Sequence, residues 1–204
     1  PDYNVFAATG LTANDFNQLL QGTNMSGCGD ALVELETQYG VSGLFCMGVA
    51  NTESTYLRAS NARHKNNPFG LMENGSLIRF SSVKGAVLSF GRTISQNTAY
   101  VGKSIDEIAR TYCPPTSSAW SKSVKTTMTG LISKATSLGL DVEDVPLTYA
   151  FGSIGGADDL DPEVVQAAID RSGKTIDELY QNVNFDVLDA TGMLQQLSDP
   201  RQED

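Results

Sequence analysis

Within the stretch Ser42 to Ser54 the chain is apolar from Leu44 to Ala50: Leu44, Phe45, Cys46, Met47, Val49 and Ala50 follow one another with only Gly48 between them. A helix that is apolar on every side belongs in the centre of a core. Its last residues, Asn51-Thr52-Glu53-Ser54, turn polar. They are expected where that core opens. Amphipathic helices flank this segment. Residues 12–21 place Phe16, Leu19 and Leu20 on one face, with Thr12 as cap, Asp15 three residues on, and Gly22 as stop. Residues 29–39 carry Ala31, Leu32 and Leu35 and end at Gly40.

Further along, residues 55–68 are rich in Asn, Ser, Arg and Lys and read as loop with a short helical turn. The apolar runs 69–72 and 77–80 flank Glu73-Asn74-Gly75-Ser76, a hairpin signal, so a small two-stranded ribbon is predicted there. Helix resumes over 83–95. It resumes again after Ser104, where Ser104 and Glu107 form a capping box, and Cys113-Pro114-Pro115 stops it. A longer helix over about 118–138 directs Val124, Met128, Leu131 and Ile132 inward. The pattern predicts a mainly α, α+β domain with a small β-hairpin lobe.

Charge divides the chain. Among its 204 residues, positions 1–140 hold 11 Lys and Arg against 9 Asp and Glu, whereas positions 141–204 hold 3 against 15. A near-neutral body over 1–139 is therefore expected to be followed by an acidic linker and short acidic helices over 140–204. Asp161-Pro162-Glu163 is a helix start in that extension. The extension is either packed on its own domain or a docking element for a protein partner. No basic stripe suits nucleic acid. No apolar run suits a membrane span, and no signal peptide opens this chain. Three cysteines without CxxC spacing argue against zinc and leave one disulfide possible. No metal or organic cofactor is expected.

Glu53 is the residue with chemical promise. At the C-terminal end of a buried helix, both the helix dipole and partial burial disfavour its ionised form. A carboxyl that keeps its proton near neutral pH is what protonation of a glycosidic oxygen requires. From position alone, a solvated glutamate in a last helical turn is the plainer alternative.

Beyond Glu53 come Lys65-Asn66-Asn67-Pro68-Phe69-Gly70, Phe80-Ser81-Ser82, and Tyr112-Cys113-Pro114 with Trp120. Together with Phe6–Gly22 and the helix pair from Glu34 to Ser54, these stretches resemble the glucosaminidase branch of the lysozyme-like peptidoglycan hydrolases, glycoside hydrolase family 73. The likeness spans about residues 6–138. It implies a helical fold with a small β-lobe, a glycan-binding cleft between them, and Glu53 at the place of the family's catalytic acid. It also implies that Asn66, Asn67, Phe69 and Gly70 lead from the cleft into the lobe and that Tyr112 lines it opposite the acid. The residue types agree, since amides bond sugar hydroxyls and aromatic faces stack on sugar rings. The alternatives stay open: a turn device for Asn66-Asn67, core packing for Phe69, and packing for Tyr112 and Trp120.

A second carboxylate often shares the work, and its separation from the first sets the stereochemistry. Glu73 is the one acid in the hairpin region and is either that partner or a solvent-facing tip residue. The expected activity is endo-cleavage of peptidoglycan glycan strands at N-acetylglucosaminyl bonds, outside the cell, in the wall or as part of a virion. A lytic transglycosylase or muramidase on the same scaffold is the first rival. The second is an inactive glycan-binding or structural module of a phage tail or secretion assembly. His64, the sole histidine, has no nucleophile signature beside it and suits a solvated loop.

Overall fold

The computed structural model describes residues 3–142. The acidic extension expected over 140–204 lies, but for its first three residues, outside the described residues, and with it the partner-docking expectation.

Seven α-helices and one short ribbon make up the described chain: α1 (Ala13–Leu20), α2 (Gly29–Tyr39), α3 (Gly43–Ser54), α4 (Ser60–His64), β1 (Met72–Glu73), β2 (Ser76–Leu77), α5 (Val83–Gln96), α6 (Ile105–Tyr112) and α7 (Ser117–Ser137), with a 3-10 turn at Pro114–Thr116. The caps read from the sequence are in place. Thr12 and Asp15 close a capping box on α1, and Ser104 and Glu107 close one on α6. Gly40 ends α2 in the left-handed conformation.

The central helix is α3. Leu44, Phe45, Cys46, Met47, Val49 and Ala50 are all fully buried, as a helix apolar on every side demands. It packs chiefly on α7 and also on α2 and α5. Gly48 lets α7 come close: a Cβ there would lie 3.1 Å from Val124 and 3.2 Å from Met128. Phe90 of α5 joins the two parts of the core. It stacks on Phe69 at 4.4 Å between ring centroids and tilts against Phe45 at 5.9 Å. The three cysteines are free thiols, Cys46 buried in α3 and Cys28 and Cys113 at helix caps.

The ribbon is shorter than predicted. Only Met72–Leu77 and Glu73–Ser76 pair, around Asn74 and Gly75, both with positive φ. Ile78 N–H bonds Leu71 C=O at 3.0 Å in the same register, and beyond it Phe80 N–H turns to Lys65 C=O at 2.9 Å. The lobe is thus also anchored to the loop after α4, where Lys65 Nζ donates to Leu77 C=O at 3.1 Å.

Candidate active site

Glu53 sits in the last turn of α3 and is half-buried. A ladder of polar side chains fixes the end of that helix against α7. Asn51 Nδ2 donates to Thr127 Oγ1 at 2.9 Å, Thr52 and Ser123 hydroxyls meet at 2.9 Å, and Trp120 Nε1 donates to Glu53 Oε1 at 2.6 Å. Trp120, Ser123 and Thr127 are spaced by three and four, so one face of α7 meets three consecutive residues of α3 running the other way. This spacing was present in the sequence. Taken there as a packing residue, Trp120 does pack at 4 % exposure, but it also holds the candidate acid.

After Glu53 the chain reverses sharply. Thr55, Tyr56 and Leu57 all have positive φ, at 50°, 52° and 66°. Each non-glycine residue in that region costs about 1–2 kcal/mol, and such strain concentrates at functional sites. Ser54 holds the turn, accepting from Leu57 N–H at 2.9 Å and donating toward Pro68 C=O at 3.0 Å. Asn24 Nδ2 donates to Leu57 C=O at 3.1 Å.

The stretch 66–70 is drawn in against this turn. Tyr112 O–H donates to Phe69 C=O at 2.6 Å, and its ring lies 5.1 Å from that of Trp120. Asn67 is 1 % exposed. Its amide donates to Leu71 C=O (2.8 Å) and Ile78 C=O (3.0 Å) and accepts from Leu71 N–H (3.1 Å). Of the residues implied at the substrate, two take the packing and bracing roles that the sequence left open. The Asn67 amide is spent on bracing the lobe, and the Phe69 ring is fully buried against Phe90. Asn66 is half-buried, with φ 50°, and its Nδ2 donates to Phe80 C=O at 3.0 Å. Tyr112 remains beside the acid. Glu73 lies exposed on β1 at the hairpin. His64 is exposed at the end of α4, and its carbonyl accepts from Arg79 at 2.7 Å.

Among the described residues two carboxyls have raised pKa values. Burial lifts that of Glu53 above the ordinary range, and the Trp120 hydrogen bond pulls part of the way back. Burial lifts Glu36 further, to about 7, against the pull of hydrogen bonds from Gly43 and Thr9. Nothing in the local pattern singles out Glu36, which reads as one more polar residue of an amphipathic helix. At 7 % exposure it receives Thr9 N–H at 3.1 Å and Gly43 N–H at 2.8 Å, one on each oxygen. It ties the N-terminal segment to the start of α3. Burial, and then the Glu53 charge, lift the Tyr112 hydroxyl well above its usual value, so it stays a neutral donor. Among the described residues no cluster of His, Cys, Asp and Glu could hold a metal. No helix there is long and apolar enough to cross a membrane.

A helical body with a braced β-hairpin lobe, and a half-buried acid where they meet, has the lysozyme-like α+β fold. Solved structures similar in fold include S. aureus autolysin E, at 16% identity and TM-score 0.53, covering 72% of this chain and 76% of that one. Autolysin E in complex with the muropeptide NAM-L-ALA-D-iGLU is similar at 15% identity and TM-score 0.53, covering 73% and 79%. A catalytic mutant of autolysin E in complex with the disaccharide NAG-NAM is similar at 14% identity and TM-score 0.52, covering 72% and 79%. No family model and no curated protein matches the sequence. At these identities the likeness establishes the fold, the one implied by the glucosaminidase resemblance of residues 6–138.

Proposed function

We propose that the protein is a peptidoglycan hydrolase that cleaves wall glycan strands internally at N-acetylglucosaminyl bonds, with Glu53 as general acid. One observation carries this reading: Glu53 is half-buried, held on one oxygen by Trp120, and has its pKa raised, at the junction of body and lobe. The fold supports the choice of substrate, since autolysin E of the same fold has been solved with a muropeptide and with NAG-NAM.

Glu36 is the competing acid by pKa alone, but each of its oxygens already accepts a backbone N–H in the interior. Glu53 gives its proton to the leaving oxygen. Positive charge then develops at the anomeric carbon and is stabilised by Glu73 or by the substrate's own acetamido group. The exposed position of Glu73 on a two-residue strand favours the substrate. Asn66 and Tyr112 flank the sugar, Tyr112 offering its ring edge while its hydroxyl holds Phe69 C=O. The same exposure of Glu73 favours a lytic transglycosylase as the second reading, in which a sugar hydroxyl attacks in place of water. The ends of released muropeptides separate the two: reducing glucosamine for the first, an anhydro end for the second. Work on wall glycan places the protein outside the cell.

Turbidity loss of a cell-wall suspension tests the reading. Glu53→Gln should lower the rate by about 10²–10⁴-fold with an unchanged melting temperature. Equal rates for the two proteins would remove Glu53 from the chemistry. No activity in either would favour a glycan-binding or structural module.

A further inference from the structure

Charges are unevenly matched along the described chain. Over the helical body, cations meet acids. Lys84 bridges Asp30 at 3.3 Å and Glu34 at 2.7 Å, Lys125 meets Asp106 at 2.8 Å, and Lys103 and Arg110 lie in the field of Glu107. From residue 54 to 80 the chain has one acid, Glu73, against Arg58, Arg63, Lys65 and Arg79. Among the described residues none of these four cations pairs with a carboxylate.

Hydrogen bonds gather three of them along one seam. Phe80 N–H bonds Lys65 C=O at 2.9 Å, Lys65 Nζ donates to Leu77 C=O at 3.1 Å, and Arg79 Nη1 donates to His64 C=O at 2.7 Å. Arg63 precedes His64 on α4, and both Arg63 and Arg79 are exposed. A guanidinium carries five N–H donors in a planar fork that matches a carboxylate; the bond to His64 uses one of those on Arg79. The seam borders the candidate site at two points. Asn66, next to Lys65, donates to Phe80 C=O at 3.0 Å, and Ala59 N–H, at the start of α4, bonds the carbonyl of Ser54, the residue after Glu53, at 3.1 Å.

Cations held together without acids repel one another, and an arriving anion relieves them. In the proposed substrate the N-acetylated sugars are uncharged, and the anionic groups are carboxylates of the peptides carried on muramic acid. We infer that Arg63 and Arg79 form a docking surface for those peptide carboxylates, so that the protein engages peptide-bearing glycan in preference to bare glycan. The inference rests on the peptidoglycan substrate proposed above and adds a contact away from the bond that is cut.

Sacculi freed of teichoic acid supply the probe, either native or with their carboxyls turned into neutral amides by carbodiimide and ethanolamine. Co-sedimentation of the full chain reads binding without turnover. At low salt, wild type should bind native sacculi about fivefold more tightly than amidated ones, which two exposed ionic contacts together supply. The preference should vanish at about 1 M salt, where the Debye length is about 3 Å. Arg63→Gln/Arg79→Gln should lose about that factor on native sacculi and nothing on amidated ones, and should raise KM with kcat unchanged. Arg92→Gln/Lys122→Gln, which removes two exposed cations of the body, should match wild type. Arg79 also braces the lobe, so if the double variant melts early, Arg63→Glu decides by the same loss on native sacculi.

A lobe variant that binds native sacculi as wild type does, or loses equally on both preparations, overturns the inference. So does an equal loss in the body variant, or a loss confined to walls that keep their teichoic acid, which assigns the surface to phosphates. Carboxylate-dependent binding by a wild type that cuts neither preparation overturns the hydrolase reading alone. Turnover that Glu53→Gln abolishes, without any carboxylate dependence, overturns the inference alone.

Discussion

Two glutamates with raised pKa values meet the two ends of helix α3 in opposite settings, Glu36 from α2 and Glu53 from α3 itself. Glu36 meets the N-terminal end, where backbone N–H groups and the positive end of the helix dipole favour an anion. Glu53 lies in the C-terminal turn, where the dipole disfavours one. Glu36 is enclosed and its oxygens are bonded by the backbone. Glu53 is half-open, with one oxygen bound by an indole and the other beside a glycine. A shifted pKa alone would select Glu36. Partner and access together favour Glu53, and in the proposed function the first serves folding while the second serves chemistry.

The sharpest way to break this division is to remove each side chain in turn. Glu36→Ala leaves the N–H groups of Thr9 and Gly43 buried without an acceptor. It should cost about 2–4 kcal/mol in chemical denaturation, while folded protein keeps its specific activity. A stable Glu36→Ala with lost activity would reverse the two roles.

The pH dependence of stability gives a second distinction. The Glu36 pKa rises from an ordinary 4.5 to about 7 in the folded protein. Its contribution is fully present below about pH 4.5 and is lost as pH climbs through 7, a range worth up to about 3 kcal/mol. Glu36→Gln should remove that slope between pH 4.5 and 7. An unaltered slope in melting temperature against pH would show that Glu36 does not titrate there.

The smallest effect concerns the indole. The Trp120 bond lowers the Glu53 pKa, so Trp120→Phe should raise it. As Glu53 acts in its protonated form, the alkaline limb of kcat/KM should move to higher pH. A shift to lower pH would contradict the assigned hydrogen bond.

Local pattern carried much of this fold and part of the site. Thr12, Ser104, Gly40 and the Asn74-Gly75 turn act within a few residues of themselves, and all were legible. Helix α3 was legible because it is apolar on every side, and that placed Glu53 at the edge of the core. The roles of Asn67 and Glu36 depend on which distant backbone groups the fold brings to them, which composition and spacing do not encode. Trp120 is an intermediate case. Its three-and-four spacing with Ser123 and Thr127 was visible, but the partner face 67 residues away was not. For Phe69 the sequence left both sugar stacking and core packing open, since an aromatic beside a candidate cleft suits either; the ring is fully buried against Phe90.

The central claim is that Glu53 keeps its proton at working pH and that this proton does the chemistry. Titration of a ¹³C-labelled Glu53 carboxyl by NMR, set beside the pH profile of kcat/KM, tests it most directly. The account predicts a carboxyl titrating above the ordinary glutamate range, at the same pH as the alkaline limb of activity. A Glu53 already ionised at ordinary values while activity persists at higher pH would contradict it.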